Sequence, residues 1–243
     1  MNKAEFIITG VMKGGTTILY DFITSHPDVN KAKQKEIHYF TLNYDKGDQW
    51  YSEFFEGNGK LNGEASPTYF DLSLAKTIPA MINRHNNDAK IIVIIRDPVE
   101  RAISHFNHLV KVNKNEGLEK LGAERFFNLP YSDAVVASNM YSSLLFHVLN
   151  FSAYSQKLRI FKQEFGDRLL VLKNEELREA PYDTMEKVYN FLEIESTFKS
   201  DDFDKVRYSA GTSLDQLSEE TQRKLREFFR EDQEATNKLL ESL

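Results

Sequence analysis

With 243 residues, 41% hydrophobic and 28% charged side chains, the chain has the composition of one soluble α/β domain with a substantial core. Its net charge of −6 argues against general nucleic-acid binding. The absence of cysteine excludes disulfides and thiolate metal sites and points to a reducing, cytoplasmic home. No apolar stretch suits a signal peptide or a membrane span, so neither is expected.

Taken in chain order, residues 5–9 read as a buried strand and 16–25 as a helix stopped by His26-Pro27. Residues 30–40 form a polar, lysine-rich connection closing on aromatics. Leu61–Ala65 reads as a short strand before Ser66-Pro67, and 74–84 has helical periodicity. "KIIVII", Lys90–Ile95, is the clearest strand: an apolar, β-branched run suited to a parallel sheet covered on both faces. Pro98 opens a helix to about Lys111, with Asp97 as its N-cap. Residues 114–138 read as a loop with short helical pieces, and 140–165 as a helix broken near Phe151. A strand follows at 168–172, a helix at 182–192, and a charged, mostly helical segment at 214–243. No internal repeat or flexible linker stands out. The alternation predicts a single α/β domain over 1–243, a P-loop-like, doubly wound parallel sheet with helices on both faces.

The first turn, "GVMKGGTT", runs from Gly10 to Thr17 between strand and helix. Against the phosphate-loop pattern G-x-x-x-x-G-K-[ST], Gly10, Gly15 and Thr17 match, but Thr16 fills the lysine position and the lysine has moved to Lys13. Backbone N–H groups and the helix N-terminus still suit an anion, and Gly14 and Gly15 let it approach closely. What is lost is the lysine that clamps the β and γ phosphates of a nucleoside triphosphate. In "RDPVERAISHF", Arg96 ends the clearest strand, and Ser104 lies two turns into the next helix; a guanidinium and a hydroxyl suit a terminal phosphate.

"KGGTT" after the first strand, joined to "RDPVERAISHF", resembles the sulfotransferases that use 3′-phosphoadenosine 5′-phosphosulfate (PAPS). "HPDV", "KEIHYF" and "EASPTYF" extend the likeness to the glycan type, such as the heparan sulfate sulfotransferase domains. The likeness spans roughly the whole chain and is strongest through His108. It implies that Lys13, Gly14, Gly15, Thr16 and Thr17 hold the 5′-phosphosulfate, that Arg96 and Ser104 hold the 3′-phosphate, and that transfer needs no metal. It further implies that adenosine 3′,5′-bisphosphate is the product and that Lys13 stabilises the leaving phosphate.

Sulfonation needs a base for the acceptor proton. Glu36 and His38 are two residues apart, so on an extended segment they share a side. The glycan enzymes imply Glu36 as base; the cytosolic sulfotransferases of phenols and steroids use a histidine, which makes His38 the alternative. Ala65 departs from the heparan-type pattern, which has a lysine there, so a second positive charge is either absent or supplied from elsewhere. Glu64 reads as orienting an acceptor or Lys13, or as an ordinary strand-end carboxylate. Lys31, Lys33 and Lys35 share a face if extended; they read as solvated, with an anionic acceptor as the alternative. Near the C-terminus the family's basic, Gly-containing loop over the 3′-phosphate suggests Arg207, Ser209 and Gly211. Trp50 and Tyr51 read as core packing or as cleft walls, and His105 and His108 as helix-surface or cleft residues. The expected partner is a saccharide or other small-molecule acceptor offering a hydroxyl or, second, an amine; oligomeric state is left open. The competing readings are a P-loop nucleotide kinase and a non-catalytic nucleotide-binding module.

Overall fold

The computed structural model describes residues 1–71, 76–112, 116–204 and 211–242. In chain order the elements are β1 (Phe6–Gly10), α1 (Thr16–Thr24), β2 (Val29–Lys31), α2 (Tyr39–Leu42), α3 (Gly47–Ser52), β3 (Leu61–Ala65), α4 (Ile78–His85) and β4 (Lys90–Ile95). There follow α5 (Pro98–Val112), α6 (Glu116–Phe127), α7 (Asp133–Ser138), α8 (Met140–Phe151), α9 (Ser155–Phe165), β5 (Leu169–Lys173), α10 (Asn174–Glu179), α11 (Pro181–Leu192) and α12 (Glu219–Leu240). Among the described residues the chain forms two compact units, one from 1–96 and 157–204, the other from 97–156 and 211–242.

The first unit holds the sheet, whose five strands are all parallel in the order β2-β3-β1-β4-β5. The strand order reverses at β1, so its C-terminal end opens on the crevice where α/β sheets take ligands. Every residue of β1 is buried, as is β4 beyond Lys90, which is why both read as continuous apolar runs. Phe6 and Ile8 of β1 and Ile92 and Ile94 of β4 pack with Leu19 and Ile23 of α1 and with Met185, Val188 and Leu192 of α11. The expected α/β sheet flanked by helices is the observed one.

Several boundaries differ from expectation. The lysine-rich connection contains a strand, β2, because Val29–Lys31 pairs with β3 in the register Val29↔Leu61. The buried Tyr20 hydroxyl then accepts the Ala32 N–H at 2.9 Å and donates to the Gly63 carbonyl at 3.3 Å. Burial pushes the Tyr20 phenol up to about 12, so it remains a donor at any physiological pH. The helix expected at 74–84 is observed as Ile78–His85, with 74 and 75 outside the described residues.

The second unit is helical, its core built from Ala102, Ile103 and Phe106 of α5, Phe126 and Phe127 of α6, Leu145 and Val148 of α8, and Leu225 and Phe229 of α12. Asp97 caps α5 as expected, accepting the N–H groups of Val99 at 3.0 Å and Glu100 at 2.9 Å. The segment expected as mostly loop carries α6 and α7. Gly122, at φ 74°, interrupts the helical period of α6 and so hid it, although Leu118, Ala123, Phe126 and Phe127 are buried. The break near Phe151 is real: Asp232 caps α9 by accepting Tyr154 N–H at 2.7 Å and Ser155 N–H at 3.1 Å. His105 is not on the surface; it is buried, with Nδ1 3.1 Å from Nη1 of the fully buried Arg101. Among the described residues no helix is long and apolar enough to cross a membrane.

Candidate active site

The turn after β1 is shaped by its glycines. Gly15 caps α1 in the left-handed region at φ 106°, and a Cβ there would stand 2.3 Å from Nδ2 of Asn174. At Gly14 a Cβ would stand 2.5 Å from Cγ2 of Val11, and its N–H donates to the Val11 carbonyl at 2.8 Å. Either side chain would fill the loop. Helix α1 then begins with no side-chain cap and no acidic residue in its first turn, leaving its N-terminal N–H groups to face an anion. Thr16 is buried and Thr17 exposed at that end. These residues fit a bound phosphosulfate. Asn174, which sets the back of the loop from the start of α10, was not singled out by sequence.

Lys13, Glu36 and His38 share an unusual backbone. Their φ angles are 70°, 58° and 53°; among the described non-glycine residues the other positive value is 61° at Glu193. Such conformations are rare for residues with a Cβ and persist where surrounding contacts impose them, which is most often at functional sites. The segment holding Glu36 and His38 is therefore not extended, contrary to the sequence argument for their common side. They meet through the left-handed turn instead, with Nε2 of His38 3.7 Å from Oε2 of Glu36.

Contacts with the end of β3 impose that turn. The Glu36 N–H donates to the Ala65 carbonyl at 3.1 Å, and the His38 N–H to Ser66 Oγ at 3.1 Å. Nδ1 of His38 is 2.8 Å from Thr68 Oγ1, and Thr41 Oγ1 is 3.0 Å from the same hydroxyl. On the other side the Lys35 ammonium hydrogen-bonds Thr17 Oγ1 and lies 3.5 Å from Oε1 of Glu36. The candidate base is thus tied to the first turn of α1. The Glu36 carboxyl is held below its ordinary range, first by hydrogen bonding from His38 and then, against partial burial, by the Lys35 charge.

Glu64 has no exposure at all and faces no acceptor. Its carboxylate accepts hydroxyls from Tyr51 at 2.5 Å, Tyr69 at 3.0 Å and Ser66 at 2.7 Å. Burial pushes its carboxyl up, while the three hydroxyls pull it back down. Ser66 donates to Glu64 and accepts from His38, so the buried carboxylate anchors the turn of Glu36 and His38 from behind. Tyr51 is buried and stacks on Tyr39 with ring centroids 4.3 Å apart, so it is core, not cleft wall. Removing one donor should leave the buried carboxylate under-satisfied. Tyr51→Phe is expected to lower stability by about 1–3 kcal/mol, measured as a shift of the urea midpoint at constant slope.

Other predicted residues fall as follows. Trp50 packs edge-on against Phe54, centroids 4.8 Å apart, with the Lys46 ammonium 4.3 Å from its ring. Lys31 pairs with Asp21 at 3.1 Å and Lys33 is exposed, so of the three alternating lysines only Lys35 reaches the loop. Arg96 follows directly on β4, at the edge of the first unit. In the second unit Ser104 is buried on α5, and Asn107, one turn later on that helix, clips Thr212 by bonds of 2.8 and 3.0 Å. Gly211, at φ 136°, lies against that Asn107 side chain, where a Cβ would be 2.6 Å from Cγ. Gly211 thus lies against α5 one turn beyond Ser104. Arg207 and Ser209 lie outside the described residues. Among the described residues no group of three or more His, Asp or Glu is placed to hold a metal ion.

The model of the sulfotransferase domain matches residues 3–239. The human heparan sulfate glucosamine 3-O-sulfotransferase 3B1 is 28% identical over 93% of this chain and 60% of its own length, so the chain spans less than two thirds of that relative. A sulfotransferase from Alicyclobacillus acidocaldarius superposes with a TM-score of 0.75 at 21% identity, over 99% of this chain and 97% of that one. The mouse sulfotransferase SULT7A1, solved with PAP, superposes with a TM-score of 0.54 at 18% identity, over 96% and 85% of the two chains. With the fold and nearly the full length in agreement, this chain belongs to the sulfotransferase domain family.

Proposed function

We propose that the chain transfers the sulfonyl group of PAPS to a hydroxyl of a saccharide. The observation that carries this reading is the pairing of an open anion loop with a carboxylate base, the loop's Thr17 and the base Glu36 being held to one ammonium, that of Lys35. Family membership, a fold-mate solved with PAP, and relatives named for 3-O-sulfation of heparan sulfate glucosamine all support it.

In this reading the loop and the α1 N-terminus hold the phosphosulfate, and Glu36 takes the proton of the acceptor hydroxyl. The acceptor oxygen–sulfur bond forms as the sulfur–oxygen bond to the 5′-phosphate breaks. The electron pair stays on the phosphate oxygen, where Lys13 offsets the growing charge. The products are a sulfate ester, adenosine 3′,5′-bisphosphate and a protonated Glu36. The kinase alternative finds no support: Thr16, in the position of the phosphate-clamping lysine, is buried at the start of α1.

A melting experiment tests the donor site. Adenosine 3′,5′-bisphosphate at about 100 times its Kd should stabilise the protein by ~2.7 kcal/mol, and ADP by much less. Arg96→Ala should erase the difference, because it removes the guanidinium assigned to the 3′-phosphate. Equal shifts from the two nucleotides would remove the case for a 3′-phosphate site.

A further inference from the structure

The His38 imidazole has one nitrogen near the candidate base and the other on a hydroxyl. Nε2 lies 3.7 Å from Oε2 of Glu36, and Nδ1 lies 2.8 Å from Oγ1 of Thr68. Thr68 belongs to the short turn Pro67–Phe70, in which Pro67, Tyr69 and Phe70 are buried and Thr68 is partly exposed. Burial of its neighbours thus leaves Thr68 to face the Glu36–His38 turn. Beside it stands Thr41 of α2, with Oγ1 3.0 Å from the Thr68 hydroxyl and 3.3 Å from the His38 carbonyl. The His38 N–H is given to Ser66 Oγ at 3.1 Å, so backbone and ring are held separately.

Charge decides where the protons sit. A neutral imidazole carries one N–H, on whichever nitrogen its surroundings favour. A carboxylate can only accept, so an ionised Glu36 demands the proton on Nε2. Nδ1 is then a bare acceptor, which a hydroxyl can serve only by donating. Thr68 therefore donates to Nδ1, and its oxygen is left to accept from Thr41, for which it is the nearer of two acceptors. The reverse chain, with Nδ1–H donating to Thr68, would aim the Nε2 lone pair at the carboxylate.

We propose that Thr68 is a positioning residue for the base: its hydroxyl, backed by Thr41, donates to Nδ1 and holds the His38 ring with Nε2–H towards Glu36. The inference rests on the sulfotransferase reading, which makes Glu36 the base, and adds a residue from another element that acts on Glu36 through His38. The charged and titratable groups around Glu36 are Lys35 and His38, with Glu64 behind Ser66. A change at Thr68 leaves Lys35 and Glu64 in place and alters the hold on the ring alone. A neutral hydroxyl suits this task. A carboxylate at position 68 would accept from Nδ1 and favour an imidazolium, whereas a hydroxyl orients the ring and lets it stay neutral.

The test needs no acceptor. Nitrogen-15 NMR of histidine-labelled protein at about pH 8, where an ordinary imidazole is neutral, reads the ring directly, because protonated and bare nitrogens resonate far apart. His38→Ala identifies the signals. Wild type should carry the proton on Nε2, with Nδ1 shifted as a hydrogen-bonded acceptor. Thr68→Val should move Nδ1 to the position of an unbonded nitrogen, and Thr68→Ser should restore it. A carbon-13 titration of the Glu36 carboxyl, assigned with Glu36→Gln, reads the consequence. Its midpoint, held below the ordinary range in wild type, should rise in Thr68→Val and in His38→Ala and recover in Thr68→Ser. The double variant Thr68→Val/His38→Ala should match His38→Ala alone, since Thr68 acts only through the ring. Melting curves check that each variant is folded, and Thr68→Ala replaces Thr68→Val if the valine is not. A wild-type proton on Nδ1, an unmoved Glu36 midpoint in Thr68→Val, or a Thr68 effect that persists without His38 would each overturn the proposal. If adenosine 3′,5′-bisphosphate fails to stabilise wild type, the sulfotransferase reading itself falls, and that result is distinct from anything the ring shows.

Discussion

Glu36→Gln is expected to lower kcat by about 10²–10⁴-fold while leaving the affinity for adenosine 3′,5′-bisphosphate nearly unchanged. Glutamine keeps the side-chain shape and the backbone turn but cannot accept a proton. The loss should fall on kcat more than on KM, since proton removal occurs in the transition state. His38→Ala should be milder, because His38 supports Glu36 through a ring nitrogen 3.7 Å away and through its bond to Thr68. The reverse order, with Glu36→Gln active and His38→Ala dead, would transfer the base assignment to the histidine. The pH profile adds a check with a definite sign. His38 first, and Lys35 after it, hold the Glu36 carboxyl below its ordinary range, so the base is ionised throughout neutral pH. The acid limb of kcat/KM should therefore lie below the ordinary glutamate range, with activity lost as pH falls through it.

Lys13→Ala should lower kcat by about 10²–10³-fold and also weaken nucleotide binding, because its ammonium is assigned to the phosphate that both donor and product carry. This double effect distinguishes it from Glu36→Gln. The backbone offers a control. Lys13 stands at φ 70°, where alanine keeps the strain and glycine relieves it. Lys13→Gly should be as inactive as Lys13→Ala but more stable by roughly 1 kcal/mol, read from thermal melts of the two ligand-free variants. If Lys13→Ala binds bisphosphate as well as wild type does, the lysine faces away from the phosphates and the assignment falls.

Much of the fold could be read from sequence because central parallel strands are written in continuous apolar residues, as "KIIVII" is, and because a Gly-rich turn between strand and helix has few other uses. β2 was hidden because it has only three residues, Val29–Lys31, two of them polar, and exists through its pairing with β3. α6 was obscured by Gly122. The candidate residues Lys13, Glu36 and His38 could be named from sequence, but their arrangement could not: nothing in a run of ordinary side chains announces three left-handed backbones. The same holds for Lys35, which reads as one more solvated lysine until the turn after it directs its ammonium to Thr17. Of the two readings open for Glu64, the strand-end carboxylate is the observed one, but its burial among hydroxyls was not legible. Its three hydroxyl partners come from "WYSEFF" and "EASPTYF", segments whose meeting depends on the packing of α3 against the sheet.

The left-handed residues carry a consequence for protein engineering. A sequence optimised for thermal stability on this backbone would favour glycine or asparagine at positions 13, 36 and 38, since each relieves a conformational penalty there. Consensus-free stabilisation campaigns, and libraries screened by heat challenge alone, would accordingly enrich changes at the three positions to which roles in transfer are assigned. Hardened variants of this protein should be selected with a turnover assay in the loop, or with these three codons held fixed.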